Sequence, residues 1–265
     1  MSWSWHPHAL DWGIVGPALV AGLLVLATHV PLGLRVLSKG IVFIDLAIAQ
    51  IAGLGVIAAN ALGWEPQGWG VQGAALVAAG AGAVLLTWTE RRWPDIQEAL
   101  IGTLFVVASC LGIVLLADNP HGGEHLKDLL VGQILWVSTA QLQGMAGLSL
   151  LVLALWFGLG ERLGRAGFYL LFALAVTASV QLVGVYLVFA SLIMPALAVR
   201  RLGARGQLAA AYGLGATAYG LGLAASAWLD WPSGAVVVLS MAALGLVFCA
   251  LWPGQTTQTG AGKAP

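Results

Sequence analysis

Apolar stretches of about twenty residues recur along this chain with only short polar interruptions, and that pattern leaves few folds open. A bilayer core about 30 Å thick needs about 20 residues of helix to cross it. The runs therefore predict membrane-spanning helices. A soluble domain carries about 25% charged residues; here 8% are charged and 60% are apolar, and no stretch of the 265 is long enough for a separate soluble domain. The expected fold class is all-α, a polytopic integral membrane helical bundle of about eight to nine transmembrane helices plus a short re-entrant helix. Residues 1–265 are read as a single membrane domain, with spans over about 12–252 and a polar C-terminal tail at 253–265.

Breaks at charged, proline and glycine residues place the spans at 12–32, 41–62, 70–89, 99–117, 140–160, 168–181, 183–199, 207–229 and 234–252. The run from Phe168 to Val199 is too long for one helix, and Ser179, Gln181 and Gly184 mark the point where it can turn. Lys and Arg collect in cytoplasmic loops. With the N-terminus outside, Arg35, Lys39, Arg91, Arg92, Arg162, Arg165, Arg200, Arg201, Arg205 and Lys263 all fall inside, and Lys127 alone falls outside. The C-terminus is then cytoplasmic. Trp64, Trp69, Trp88, Trp93, Trp228, Trp231 and Trp252 stand near span ends, as an interfacial aromatic belt requires. The N-terminus lacks the positive region of a secretory signal, so the first run is read as a permanent span. Cys110 and Cys249 lie in different apolar runs and are read as small core residues. A net charge of zero with no basic block gives no reason to expect a nucleic-acid partner; lipid is the expected surrounding.

Asp45 is the only formally charged side chain inside any of the long apolar stretches. A carboxylate at the centre of a bilayer costs about 2.5–3.5 kcal/mol even on the lenient insertion scale, so one that persists is read first as part of an ion or substrate path. Gln50, five residues on, is the nearest polar neighbour, but it lies about 140° away around a helix, so the two cannot chelate one ion alone. Asp45 stands about 9 Å of helix from Lys39, within reach of water from the cytoplasmic side. Met194, next to Pro195, is the one thioether near an expected helix break, and as a gap-filler it also fits a core.

The external loop from Asp118 to Asp128 contains His121, Glu124 and His125, a literal H-x-x-E-H. That zinc-protease pattern needs a helix that puts both imidazoles on one face, and Pro120, Gly122 and Gly123 oppose one. A solvated loop or an external metal-capture site fits these residues better. Leu129 to Ser138 is too short to span and reads as a re-entrant or interfacial helix, which survives only when protein covers it or it lines a cavity. The phosphate-binding pattern G-x-x-x-x-G-K-[ST] is absent, so any ATP is hydrolysed by another subunit.

Three segments carry a resemblance: LVGQILWVS at 130–138, VGVYLVFASLIMPALAVR at 183–200 and DWPSG at 230–234. Over about residues 12–252 the chain resembles the ABC-3 family of metal-uptake permeases, the membrane subunits of bacterial zinc, manganese and iron importers. The resemblance implies a non-enzymatic transport subunit of the bacterial cytoplasmic membrane, working as a homodimer. It implies a cytoplasmic ABC ATPase and a periplasmic or lipid-anchored metal-binding protein as partners. The cargo would be a divalent ion, Zn, Mn or Fe, and the chain itself would hold no resident cofactor. By position, the segment from Pro195 to Gln207, with Arg200, Arg201 and Arg205, would meet the ATPase, although positive-inside anchoring accounts for these arginines equally well. The family often carries G-D-x-x-x-H in its second helix. Asp45 can take the Asp place, but Ile44 and Ala49 stand where Gly and His would be. Keeping the carboxylate without the imidazole favours harder ions. The link from Glu161 to Gly167 is also shorter than the acidic insertion usual in the family. Two other readings stay open: a permease for a metal chelate such as haem or a siderophore, and a membrane metalloenzyme built on His121, Glu124 and His125.

Overall fold

The computed structural model describes residues 12–64, 68–116 and 130–252. Among these residues the chain is helical, with nine α-helices and no strand. They are α1 (Trp12–Lys39), α2 (Ile44–Ala61), α3 (Trp69–Arg92), α4 (Gln97–Leu115), α5 (Thr139–Leu159), α6 (Gly164–Val183), α7 (Val185–Val199), α8 (Ala204–Leu229) and α9 (Ser233–Leu251). Eight are long and apolar enough to cross a membrane; α7, with 15 residues, is shorter. The expected helical bundle is borne out.

Small residues set how closely the helices pack. In lipid there is no solvent to expel between helices, so association depends on close van der Waals approach. A Cβ on Gly22 would enter the ring of Tyr219 on α8, and one on Gly33 would collide with the Leu192 carbonyl on α7. Gly55 and Gly82 do the same work between α2 and α3, where added Cβ atoms would stand 2.6 Å from the Ala74 carbonyl oxygen and 2.9 Å from Ile51. Tyr212 on α8 donates to the Ala27 carbonyl at 2.7 Å, tying α8 to α1.

The long run from Phe168 to Val199 divides at Gly184, whose φ of 81° only glycine adopts without strain. The split expected from Ser179, Gln181 and Gly184 therefore holds, at the last of the three. α1 is longer than expected. It passes through Pro31 and ends at Lys39, because Leu32 and Val36 keep its inner face buried while Arg35 is exposed and Lys39 pairs with Glu90. α7 also continues through Pro195, so Met194 lies in an unbroken helix rather than at a break. Neighbouring helices supply enough packing to tolerate such prolines.

From 130 to 138 the backbone is not a continuous re-entrant helix. Gly132, with a φ of 70°, interrupts it, and a single 3-10 turn follows at Ile134–Trp136. Protein covers the segment in part: Ile134 is buried, while Gln133, Trp136 and Ser138 are exposed. A Cβ on Gly132 would strike the Val183 carbonyl and the Gly184 nitrogen, and one on Gly234 would meet the Val131 carbonyl oxygen at 3.0 Å. The three segments that carry the family resemblance thus meet at one place.

Tryptophans mark the rim. All seven tryptophans assigned to the belt are exposed, Trp69 at 93%. Cys249 is half-buried, but Cys110 is exposed on α4 rather than in the core. An apolar run does not reveal which face of its helix looks outward, and α4 is among the least buried of the spans.

Candidate functional site

α1, α3, α4 and α6 share one end, fixed by a polar cluster. Lys39 Nζ donates to Glu90 Oε1 at 3.0 Å and lies 5.3 Å from the centre of the Phe168 ring. Gln97 Nε2 donates to the Leu86 carbonyl at 3.1 Å and to the Tyr169 hydroxyl at 3.3 Å. The Phe43 N–H donates to Glu98 Oε1 at 3.3 Å, which places the start of α2 beside the start of α4. α2, α4 and α6 therefore all rise from this end in the same direction.

Asp45 sits in the first turn of α2, just above that end, and is 1% exposed. A helix N-terminus favours negative charge there. Backbone N–H groups of the turn, its own and that of Leu46, face the carboxylate. Oδ1 has no hydrogen-bond partner. One turn higher on the same helix, Ala49, Gln50 and Gly53 line a small cavity together with Ser109 and Gly112 of α4, Val180 of α6 and Val185 of α7. Its volume of about 20 Å³ is room for one water or a bare ion. Gln50 and Ser109 are its polar side chains.

Neither Asp45 nor Met194 lines this cavity; Met194 is half-buried on α7 against the core. Pro195 is buried, Arg200 and Arg201 are exposed, and the backbone of Arg205 is in the first turn of α8. Gln207 Nε2 closes the intervening turn by donating to the Leu202 carbonyl at 2.9 Å, and Arg200 Nη1 donates to the Leu197 carbonyl at 3.1 Å. His121, Glu124 and His125 lie outside the described residues. Among the described residues no three His, Cys, Asp or Glu side chains come together as a metal cluster.

Three regions carry no functional reading in the sequence. His29 is fully buried well inside α1; its Nδ1 is 2.9 Å from the Val25 carbonyl, an acceptor only, so this nitrogen carries the proton and Nε2 remains bare and unpartnered. Lys39 and Glu90 form the ion pair described above. Thr177 and Ser179 on α6 are buried with hydroxyls that have no partner. An imidazole inside a span was a readable signal for His29. A threonine in an apolar run gives none.

The comparisons with known proteins follow this geometry. The family model of the ABC 3 transport family matches residues 12–163 and 157–252, nearly the whole described chain. The chain belongs to the ABC 3 transport family. An uncharacterized membrane protein of Synechocystis, slr2045, is 28% identical over 254 residues, covering 88% of each chain. Among solved structures, PsaBC from Streptococcus pneumoniae in complex with Fab superposes with a TM-score of 0.74 at 22% identity, over 92% of this chain and 94% of that one. A transporter described as metal-chelate type, in an inward-facing conformation, gives a TM-score of 0.68 at 19% identity, over 89% and 85%. At these identities the two structures establish a shared fold. This ABC 3 family member is a membrane permease of an ABC transporter, and the resemblance carried by 130–138, 183–200 and 230–234 is borne out.

Proposed function

We propose that this permease imports a divalent transition metal ion, zinc, manganese or iron, across the bacterial cytoplasmic membrane, by alternating access driven by a separate ABC ATPase. An external metal-binding protein delivers the ion, and two copies of the chain enclose the path. The N-terminus lies outside and the C-terminus in the cytoplasm. The observation that carries the reading is Asp45: a buried carboxylate with a bare Oδ1, in a spanning helix, directly below the cavity that Gln50 lines. Keeping a buried carboxylate ionised with one oxygen unpartnered costs free energy even beside the N–H groups of the first turn, and a cation passing through relieves that cost. Met194 stands as a candidate soft donor further along α7. Arg200 and Arg201, exposed at the turn between α7 and α8, with Arg205 in the first turn of α8, belong to the segment that meets the ATPase.

A chelate such as haem or a siderophore is the second reading, and the metal-chelate type transporter of similar fold is its support. A cavity of about 20 Å³ favours the bare ion. Uptake of radioactive Zn²⁺, Mn²⁺ and Fe²⁺, measured with the ATPase and the delivery protein present, tests the proposal. Asp45→Asn should cut uptake of the cargo ion at least ~10-fold with unchanged abundance in the membrane, the scale of losing a group that tunes a metal site. Normal uptake by this variant would sink the assignment of Asp45.

A further inference from the structure

A helix start leaves N–H groups without partners, and the side chain of the residue before it ordinarily serves one of them. α5 follows that rule. The Ser138 hydroxyl accepts from the Gln141 N–H, and the Gln141 side chain accepts from the Ser138 N–H at 2.9 Å. α2 does not follow it: the residue before it is Phe43, which offers no side-chain acceptor, and no side-chain hydrogen bond caps the helix from that position. Asp45, the carboxylate of the proposed ion path, is the second residue of this start.

The missing cap comes from another helix. Glu98, in the first turn of α4, accepts from the Phe43 N–H on Oε1 at 3.3 Å, and the Val42 N–H faces the same carboxylate. Asp45 serves the next groups along the chain, its own N–H and that of Leu46. Two carboxylates thus divide the free N–H groups of one helix start. Consecutive Cα atoms are 3.8 Å apart, so Glu98 grips the backbone no more than about 7.6 Å from Asp45.

Glu98 itself stands on a fixed base. Its neighbour Gln97, 4% exposed, donates to the Leu86 carbonyl of α3 and to the Tyr169 hydroxyl of α6. The link from α1 to α2 is therefore tied at both ends to the segment that joins α3 to α4, Lys39 to Glu90 and Phe43 to Glu98. Between the ties stands Gly40, with a φ of 70° and nothing within 4 Å of an added Cβ. A carboxylate in the first turn of α4 also suits the dipole of that helix, but aspartate would serve there as well. The contact with Phe43 needs the reach of glutamate.

We infer that Glu98 is a positioning residue for transport: from α4 it supplies the cap that α2 lacks, and so fixes the turn that carries Asp45. This rests on the reading that Asp45 lies on the ion path. Glu98 does not touch the ion. When a cation draws the Asp45 carboxylate away from the N–H groups of its own turn, Glu98 keeps that turn from fraying. Asp45 then keeps its buried place below the cavity.

The test uses cells in which the full-length chain is the sole permease of its transporter. The probes are ⁵⁴Mn²⁺, ⁶⁵Zn²⁺ and ⁵⁵Fe²⁺, and variants are compared at equal membrane abundance on the ion that the parent takes up fastest. Glu98→Gln keeps an acceptor oxygen at the same reach without the charge, and its uptake should stay within ~2-fold of the parent. Glu98→Asp keeps the charge but is one methylene short, and Glu98→Ala loses both. Each should lower the maximal rate at least ~10-fold, the scale of losing a residue that orients a metal ligand. The half-saturating concentration should stay within ~2-fold, because the ion loads at the other end. Hydrogen exchange in the purified chain reads the turn directly: amides of residues 42–47 should exchange ~5-fold faster in Glu98→Asp than in Glu98→Gln, the size of one lost cap, with α8 and α9 unchanged. A residue that acts by charge alone gives the opposite order, so loss with Glu98→Gln or parental uptake with Glu98→Asp overturns the inference. If Glu98→Ala fails to reach the membrane, the other two variants decide. Loss with Asp45→Asn but not with Glu98→Asp rejects Glu98 alone, whereas normal uptake by Asp45→Asn rejects the path reading and this inference with it.

Discussion

Lys39 and Glu90 show how one pair of side chains can fix where four helices end. Their contact, 3.0 Å long and roofed by Phe168, joins the close of α1 to the close of α3 and the start of α6, with α4 attached through Gln97. The pair is neither dry nor fully solvated, with about a fifth of each side chain exposed. Removing one partner strands the other, and removing both is milder. Lys39→Met and Glu90→Gln should each lower the thermal stability of the purified protein. A double-mutant cycle should return a coupling of ~1 kcal/mol, within the usual 0.5–3 kcal/mol for contacting residues. Additive effects would mean that the contact contributes nothing to holding this end together.

Among the helices, glycines divide into those that neighbours require and those that only lie in open space. Gly132 and Gly184 have φ of 70° and 81°, and their backbones press on one another, so an alanine meets both conformational strain and collision. Gly132→Ala or Gly184→Ala should cost more than ~2 kcal/mol and lower the unfolding temperature in detergent. Gly80 lies in the middle of α3 with nothing within 4 Å of an added Cβ. Gly80→Ala should be neutral or gain up to ~1 kcal/mol through helix propensity. Equal effects at Gly80 and Gly184 would contradict the packing described for the junction of α6 and α7. The same contrast explains why the expected re-entrant helix is a broken segment: a helical Gly132 would drive the chain away from Val183 and Gly184.

At the scale of the whole molecule, the proposed direction of insertion rests on its cations. Arg200 and Arg201 lie at the same side as Lys39, and Trp231, between α8 and α9, lies at the opposite one if every helix crosses. In a protein freed of Cys110 and Cys249, a cysteine at Arg201 should react with a membrane-impermeant maleimide only after the cells are opened. One at Trp231 should react in intact cells. The reverse pattern would invert the proposed topology.

The sequence by itself determined that this is a helical membrane protein, about where its spans lie, and which family it belongs to. Those properties are local: a run of apolar residues fixes a span wherever it occurs, and the motifs at 130–138, 183–200 and 230–234 are contiguous. Asp45 was legible for the same reason, since one charge in an apolar run needs no partner to be conspicuous. The surroundings of Asp45 were decided only in three dimensions. Whether Glu98 reaches the Phe43 N–H, whether Ala49 and Val180 share a cavity wall, and whether Gly132 touches Gly184 all depend on which faces of distant helices meet. Apolar runs hold little of that information, because in lipid the outward and inward faces of a helix are both apolar. Close packing of small residues selects the inner face, and that selection exists only once the bundle has formed.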